Sequence, residues 1–270
     1  MIRAFSEMLS YAFLTRALIV GTLVSLCASI LGVSLVLKRY SMIGDGLSHV
    51  GFGALAAASA FGLAPLAVAI PVVSVSAFLL LRISDEKQVK GDSAVALIST
   101  TALALGVLVV SLSGVNTDLN SFLFGSILGI SGSDTLLCVV ISLCVLVLYL
   151  LFYNEIFAIT FDETFAKASG TNAGLYNMLL ALMTALTIVL GMRMMGTLLI
   201  TSLIIFPPLT SMRLCKTFRS VVISSAAVSV FCFLFGLTAS YMLSAPTGAS
   251  IVTVNAALFV LFTLIERVRG

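Results

Sequence analysis

The sequence predicts an all-α integral membrane protein, a polytopic bundle of about eight or nine transmembrane helices in one domain over residues 1–270. Of the 270 residues, 60% are hydrophobic and only 9% are charged, and the mean hydropathy is +1.22. A soluble domain carries about 25% charged residues, so this chain has too few to cover a surface in water. The apolar runs are also long and continuous, whereas a transmembrane barrel has alternating segments of about ten residues.

The first segment, residues 1–14, is predicted to be an amphipathic helix at the membrane surface. Arg3 and Glu7 alternate there with Ile2, Phe5 and Met8. A cleavable signal would instead show a charged start, an apolar core and a small-residue cleavage site.

Nine apolar stretches then follow along the chain. A full crossing needs about 20 residues, and the second stretch has sixteen, so the count falls to eight if that span is broken or partial. The predicted spans are Ala17–Leu37, Gly46–Phe61, Ala64–Leu81, Ser93–Leu112, Thr135–Tyr153, Gly174–Met192, Met195–Met212, Ser220–Leu243 and Ser250–Ile265. The Pro207-Pro208 pair removes two backbone donors and is expected to break the seventh of them.

Lysine and arginine predict the orientation, because they concentrate on the cytoplasmic side. If the connection 154–173 is cytoplasmic, eleven of the 14 basic residues share that side, and only Arg3, Arg16 and Arg193 lie outside. The N-terminus is then outside and the C-terminus cytoplasmic. The connection 113–134 is predicted to lie outside. Within it, Phe122–Ile130 is too short to cross the membrane and is predicted to be a re-entrant or surface helix.

A carboxylate and the chain's only histidine lie one helical turn apart, at Asp45 and His49. On a helix these positions share a face, and a carboxylate with an imidazole binds first-row divalent metals. Ionisable groups in membrane segments are costly and usually functional. The alternative is that Asp45 caps the helix and His49 bonds a neighbour. Two ligands are too few for a zinc site, which takes about four, so a second copy, other oxygens or water would complete it.

The connection 154–173 contains a second candidate site for function. Asp162 and Glu163 are acidic residues suited to a first helical turn, Lys167 follows, and Gly170 is suited to stop the helix. Phe161 and Phe165, four residues apart, are expected to form an apolar knob on one helix face. A short exposed helix of this kind suits docking to a soluble partner, although composition alone favours an ordinary amphipathic helix that lies on the membrane.

Several activities lack the residues that they need. No Gly-x-x-x-x-Gly-Lys-Ser/Thr motif is present, so the chain does not bind ATP through a P-loop. No catalytic set can be built that avoids His49, so an enzyme is not expected. A net charge of +3 gives no reason to expect nucleic acid as a partner. The near absence of charged residues from the spans argues against an ion-coupled secondary carrier, which remains the less favoured alternative.

Taken in order, five stretches resemble the permease subunit of the bacterial zinc/manganese/iron ABC transporter family, the ABC-3 family. The matching stretches are Leu35–Ala56, with Gly44-Asp45 and Leu47-Ser48-His49; Asp118-Leu119 with Leu123-Phe124-Gly125; Phe161–Gly170; Gly196–Pro207; and Pro246–Val252. This chain departs from the family pattern at Gly46, where alanine or threonine is common, and at Pro208, where alanine is common.

The resemblance implies an ABC importer permease fold in the bacterial cytoplasmic membrane, with a second copy forming a homodimer. Two ATPase subunits, which bind the ATP, would dock on 154–173 as a cytoplasmic coupling loop, and an extracellular metal-binding protein would deliver the ion. In the family the aspartate and histidine of the signature coordinate the metal, which here means Asp45 and His49. No covalently bound cofactor is expected in the chain itself. The transported ion is expected to be zinc, on a likeness around residues 184–187 and 196–203, with manganese and ferrous iron as alternatives.

Overall fold

The computed structural model describes residues 12–85, 91–113 and 132–269, and within them every regular element is a helix, with no strand. Eleven helices are found in this part of the chain. They are α1 (Ala12–Leu37), α2 (Ile43–Ala60), α3 (Pro65–Asp85), α4 (Gly91–Ser113), α5 (Gly132–Leu151), α6 (Tyr153–Phe161), α7 (Glu163–Ala168), α8 (Ala173–Met195), α9 (Thr197–Met212), α10 (Phe218–Leu243) and α11 (Thr247–Arg269).

The nine longer helices coincide with the nine apolar stretches, so the predicted all-α membrane bundle is confirmed. Six of them, α1, α4, α5, α8, α10 and α11, are long and apolar enough to cross a membrane, and α3 and α9 are shorter apolar helices. Most of the predicted surface helix at residues 1–14, and all of the predicted helix at Phe122–Ile130, lie outside the described residues.

Helix α1 is the centre of the bundle and packs against α5, α8, α9 and α10. Two serines of α10 bond to it across the interface: the Ser225 hydroxyl donates to the Ser29 carbonyl at 3.3 Å, and the Ser229 hydroxyl donates to the Ser25 carbonyl at 2.9 Å. All four residues are fully buried. Small polar side chains of this kind let helices approach closely and bond inside a membrane.

The expectation that Pro207-Pro208 breaks a helix is wrong, because α9 continues through both prolines. Pro208 has no N–H to donate to the carbonyl of Ile204, four residues earlier. The helix tolerates this loss beside Gly32 of α1, where an added Cβ would lie only 2.1 Å from the Ile204 oxygen. The freed carbonyl therefore faces the backbone of Gly32 at close range, where no larger residue would fit.

Ion pairs between residues of different helices indicate which helix ends lie on the same side of the bundle. Three such pairs each join residues predicted for the same side of the membrane: Lys38–Glu163 at 3.6 Å, Arg213–Glu266 at 3.1 Å and Arg193–Asp134 at 3.1 Å. The first two belong to the predicted cytoplasmic side and the third to the outer side.

Candidate functional site

Helix α2 begins at Ile43, three residues before the predicted start, so Asp45 and His49 both lie on it. Met42 occupies the N-cap position and no side chain caps the helix, so the alternative that Asp45 is a cap is wrong. The Asp45 carboxylate is instead turned along the helix, with Oδ2 3.6 Å from Nε2 of His49. The two groups predicted to act together are brought together.

The distance between these two atoms is too long for a good hydrogen bond but suits a shared cation. An ion about 2.1 Å from each atom would make an oxygen–ion–nitrogen angle of about 120°, close to the ligand–metal–ligand angles of common metal sites. The Nδ1 atom of His49 is buried and has no hydrogen-bond partner among the described residues. The His49 side chain is 25% exposed and that of Asp45 is 46% exposed, so the pair lies on an open face.

One flank of this face is sealed by α4. A Cβ on Gly46 would lie 2.6 Å from Cγ1 of Val95, and one on Gly53 would lie 2.7 Å from the carbonyl oxygen of Ala102. Seven residues apart on a helix, the two glycines lie on the same side and let α4 pack directly on the backbone. A side chain at position 46 would therefore clash with Val95, which gives a packing reason for the glycine there.

The other flank is sealed by α8 and α9. A Cβ on Gly51 would lie 2.2 Å from Cε of Met192, and one on Gly44 would lie 3.1 Å from Cδ1 of Ile204. At 100° per residue these glycines lie on the side of α2 opposite to Gly46. Helix α2 is thus held at both edges, and its Asp45 face lies between them.

No group of three or more His, Cys, Asp and Glu side chains that could hold a metal occurs in the described part of the chain. Further ligands for an ion at Asp45 and His49 would therefore come from other oxygens, from water or from another molecule. The Ser48 hydroxyl is not one of them as it stands, because it donates to the Asp45 carbonyl at 2.7 Å.

The connection 154–173 forms two short helices instead of a loop, and α7 agrees with the predicted short helix. Asp162 is its N-cap and accepts a hydrogen bond from the Phe165 N–H at 2.9 Å. Gly170 follows its end with a φ of 90°, a conformation that glycine adopts readily. The Phe165 side chain is 68% exposed, whereas Ala166 is buried against Ile159 of α6 and Ala173 of α8.

The prediction that Phe161 and Phe165 share a helix face is wrong. Phe161 is the last residue of α6, and the extended backbone of Asp162 separates it from α7. Its ring is 59% exposed and packs against the rings of Phe157 and Phe218, with centroids 5.0 and 5.9 Å away. Of the two, Phe165 is the residue that α7 itself presents.

The two charged residues of α7 form an ion pair along the helix, with Nζ of Lys167 2.8 Å from Oε1 of Glu163. Glu163 also reaches two residues that the sequence did not indicate as functional, Lys38 after α1 and Asn177 of α8. The basic pair Lys38-Arg39 was visible in the sequence, but only as an indicator of orientation. No local pattern reveals contacts between residues so far apart in the chain.

Comparison with known proteins identifies related sequences over nearly the whole chain. The profile of the ABC 3 transport family matches residues 10–266. The chain is 30% identical over 258 residues to the manganese transport system membrane protein MntC of Halalkalibacterium halodurans, covering 95% of this chain and 88% of that protein. It is 32% identical over 254 residues to the "Probable iron transport system membrane protein" of Haemophilus influenzae, covering 94% and 90%. The structure of PsaBC from Streptococcus pneumoniae in complex with Fab matches with a TM-score of 0.87 at 27% identity over 100% of both chains.

Proposed function

Because this chain belongs to the ABC 3 transport family, we propose that it forms the membrane passage of a metal importer in which Asp45 and His49 bind the ion in transit. The chain is a multi-pass membrane permease and not an enzyme, and ATP hydrolysis belongs to a separate chain. The observation that carries the proposal is the Asp45–His49 pair, 3.6 Å apart on an otherwise tightly packed helix. Few protein ligands suit transport, since the ion must be released as well as bound.

For the ion, we propose manganese or ferrous iron ahead of zinc. The related proteins are named for manganese and iron transport. One carboxylate oxygen and one imidazole nitrogen, without a thiolate, also suit these harder ions. This departs from the preference for zinc drawn from the sequence, which stays as the alternative.

A second copy of the chain is proposed to complete the site. Helices α4, α8 and α9 close both flanks of α2 but leave the Asp45 face open. A twofold arrangement would set two such faces opposite each other and double the ligand count.

Acid should weaken transport, because a protonated imidazole cannot coordinate a metal.

The remaining partners follow from the family and from the exposed residues. We propose a single permease domain over residues 1–270, in which 154–173 is the coupling segment and two ATPase subunits dock on it. Phe161, Asp162, Glu163, Phe165, Lys167 and Gly170 form the proposed docking segment. Phe165 supports this role because it is strongly exposed. Lipid surrounds the spans, and a metal-binding protein would meet the outer face.

The orientation is proposed from the distribution of basic residues, with the N-terminus outside and the C-terminus in the cytoplasm of a bacterium. The ion pairs support it in relative terms, since each joins ends predicted for one side.

The test is uptake of radioactive manganese, iron or zinc into proteoliposomes that contain the complete complex. Asp45→Asn and His49→Gln should each abolish uptake of the true cargo, while Ser48→Ala, a change in the same turn, should preserve it. Wild-type uptake by both site variants would refute the metal site. Uptake of zinc alone would overturn the proposed choice of ion.

A further inference from the structure

A nearly buried lysine lies where α1 ends. The Lys38 side chain is only 9% exposed. Its Nζ donates a hydrogen bond to Oδ1 of Asn177 in α8 and lies 3.6 Å from Oε2 of Glu163 in α7. A buried ammonium group is costly unless it is paired and bonded, so these contacts are needed to hold the lysine there.

Asn177 connects the two charges. Its amide oxygen accepts from Lys38, and its Nδ2 donates to Oε2 of Glu163 at 3.0 Å. Lys38, Asn177 and Glu163 together are called the polar clamp below. The polar clamp joins the short helix α7 to the end of α1 through a residue of α8, and it is separate from the apolar contact that Ala166 makes with α6 and α8.

The charge of Glu163 persists in mild acid. Partial burial raises the pKa of Glu163, but hydrogen bonds from Lys167 and Asn177 and the charges of Lys38 and Lys167 outweigh it, and the net pKa is lowered. A carboxyl with a lowered pKa loses its stabilising contribution only as the pH falls below its usual range near 4.5. The polar clamp therefore keeps the charge of Glu163 at neutral pH and is not a pH switch.

The chain between Lys38 and Asp45 is short and fixed by hydrogen bonds. Arg39 adopts a φ of 63°, and the Tyr40 N–H donates to the Leu35 carbonyl at 2.8 Å, which closes α1 in a Schellman motif. The Ile43 N–H then donates to the Tyr40 carbonyl at 3.0 Å, immediately before α2. Tyr40 is thus bonded to Leu35 of α1 and to Ile43 of α2, so a displacement of Lys38 is expected to reach the first turn of α2.

We propose that Lys38 and Asn177 are positioning residues that transmit movement of α7 through the polar clamp and the α1–α2 turn to Asp45 and His49. This inference rests on the proposed function, since it assumes that α7 receives the ATPase and that Asp45 and His49 meet the ion. It assigns to two residues outside the docking segment a role in coupling ATP hydrolysis to metal movement.

The experiment measures metal ions moved per ATP hydrolysed by the complete complex in proteoliposomes. Lys38→Met and Asn177→Leu should keep the ATPase bound and hydrolysing, while the ratio falls several-fold because ATP hydrolysis continues with less metal movement. Arg213→Met is the matched control, because it removes a different ion pair between helices, with Glu266, that does not touch α7. The control should leave the ratio unchanged.

A charge exchange separates transmission from simple structural support. Lys38→Glu combined with Glu163→Lys should recover much of the ratio that either single change loses, whereas loss of packing alone would not be rescued. If Lys38→Met does not fold, Asn177→Leu and the exchange carry the same test. Normal ratios in these variants, or loss of ATPase binding in Lys38→Met, would overturn the inference. Normal uptake by Asp45→Asn and His49→Gln would instead refute the proposed function.

Discussion

Replacing Gly32 with alanine should destabilise the bundle more than the addition of one methyl group suggests. The added Cβ would lie 2.1 Å from the carbonyl oxygen of Ile204 and 2.9 Å from its carbonyl carbon. An ordinary contact is about 3.4 Å, so α1 and α9 would have to separate by about 1.3 Å at this point. The obstacle is backbone, which cannot turn aside as a side chain can.

Overpacking a filled core typically costs about 1–3 kcal/mol, and a backbone obstacle places this change near the upper end. A cost of about 3 kcal/mol reduces the ratio of folded to unfolded protein by roughly 150-fold. The readout is the apparent melting temperature in detergent, followed as the fraction that remains monodisperse in size-exclusion chromatography after heating.

Gly174→Ala is the matched control, because its Cβ would have its nearest neighbour at 3.6 Å, an ordinary contact. The control should have the same apparent melting temperature as the wild type. Gly32→Ala should also lower metal uptake, since the Ile204 side chain that α9 carries packs beside Gly44, next to Asp45. If Gly32→Ala melts like the control, the freed carbonyl of Ile204 is not held against α1 and the reasoning fails.

Three other changes test separate parts of the structure. Gly53→Ala should lower the melting temperature and the uptake of metal, because its Cβ would meet the Ala102 carbonyl at 2.7 Å, and wild-type values for both would contradict the close packing of α2 on α4. Asp162→Ala should weaken α7 by about 1 kcal/mol and reduce ATP-driven uptake, whereas Asp162→Asn, which can still accept from the Phe165 N–H, should retain it. Arg39→Gly should raise the melting temperature slightly, since a left-handed residue costs about 1 kcal/mol without glycine, and a lower temperature would mean that the arginine side chain contributes more.

The helices were predictable because lipid leaves the backbone few choices. A long apolar run must satisfy its own hydrogen bonds, so length and composition alone locate most spans. The expected break of α9 at Pro207-Pro208 was wrong for a different reason, which lies in the packing of the helix. The lost donor at Pro208 matters less than expected, since the neighbouring helix supplies a glycine at the freed carbonyl, and sequence cannot show that contact.

The candidate site was predictable in part. The spacing of Asp45 and His49 gives a shared face on any helix, and the structure has that face. The same argument failed for Phe161 and Phe165, because Asp162 prefers an extended cap and begins a new helix between them. The contacts of Lys38 were not predictable, because they depend on how α1, α7 and α8 meet in space.

The two serine bonds between α10 and α1 limit how these helices can slide. Ser225 and Ser229 are one turn apart, as are their acceptors Ser29 and Ser25, and the pairing runs antiparallel. A slide of four residues, about 6 Å, would bring the Ser225 hydroxyl to the Ser25 carbonyl and keep one of the two bonds, while a slide of about half that length would break both. The two bonds therefore resist small sliding of α10 along α1. They still allow α10 to tilt about this contact.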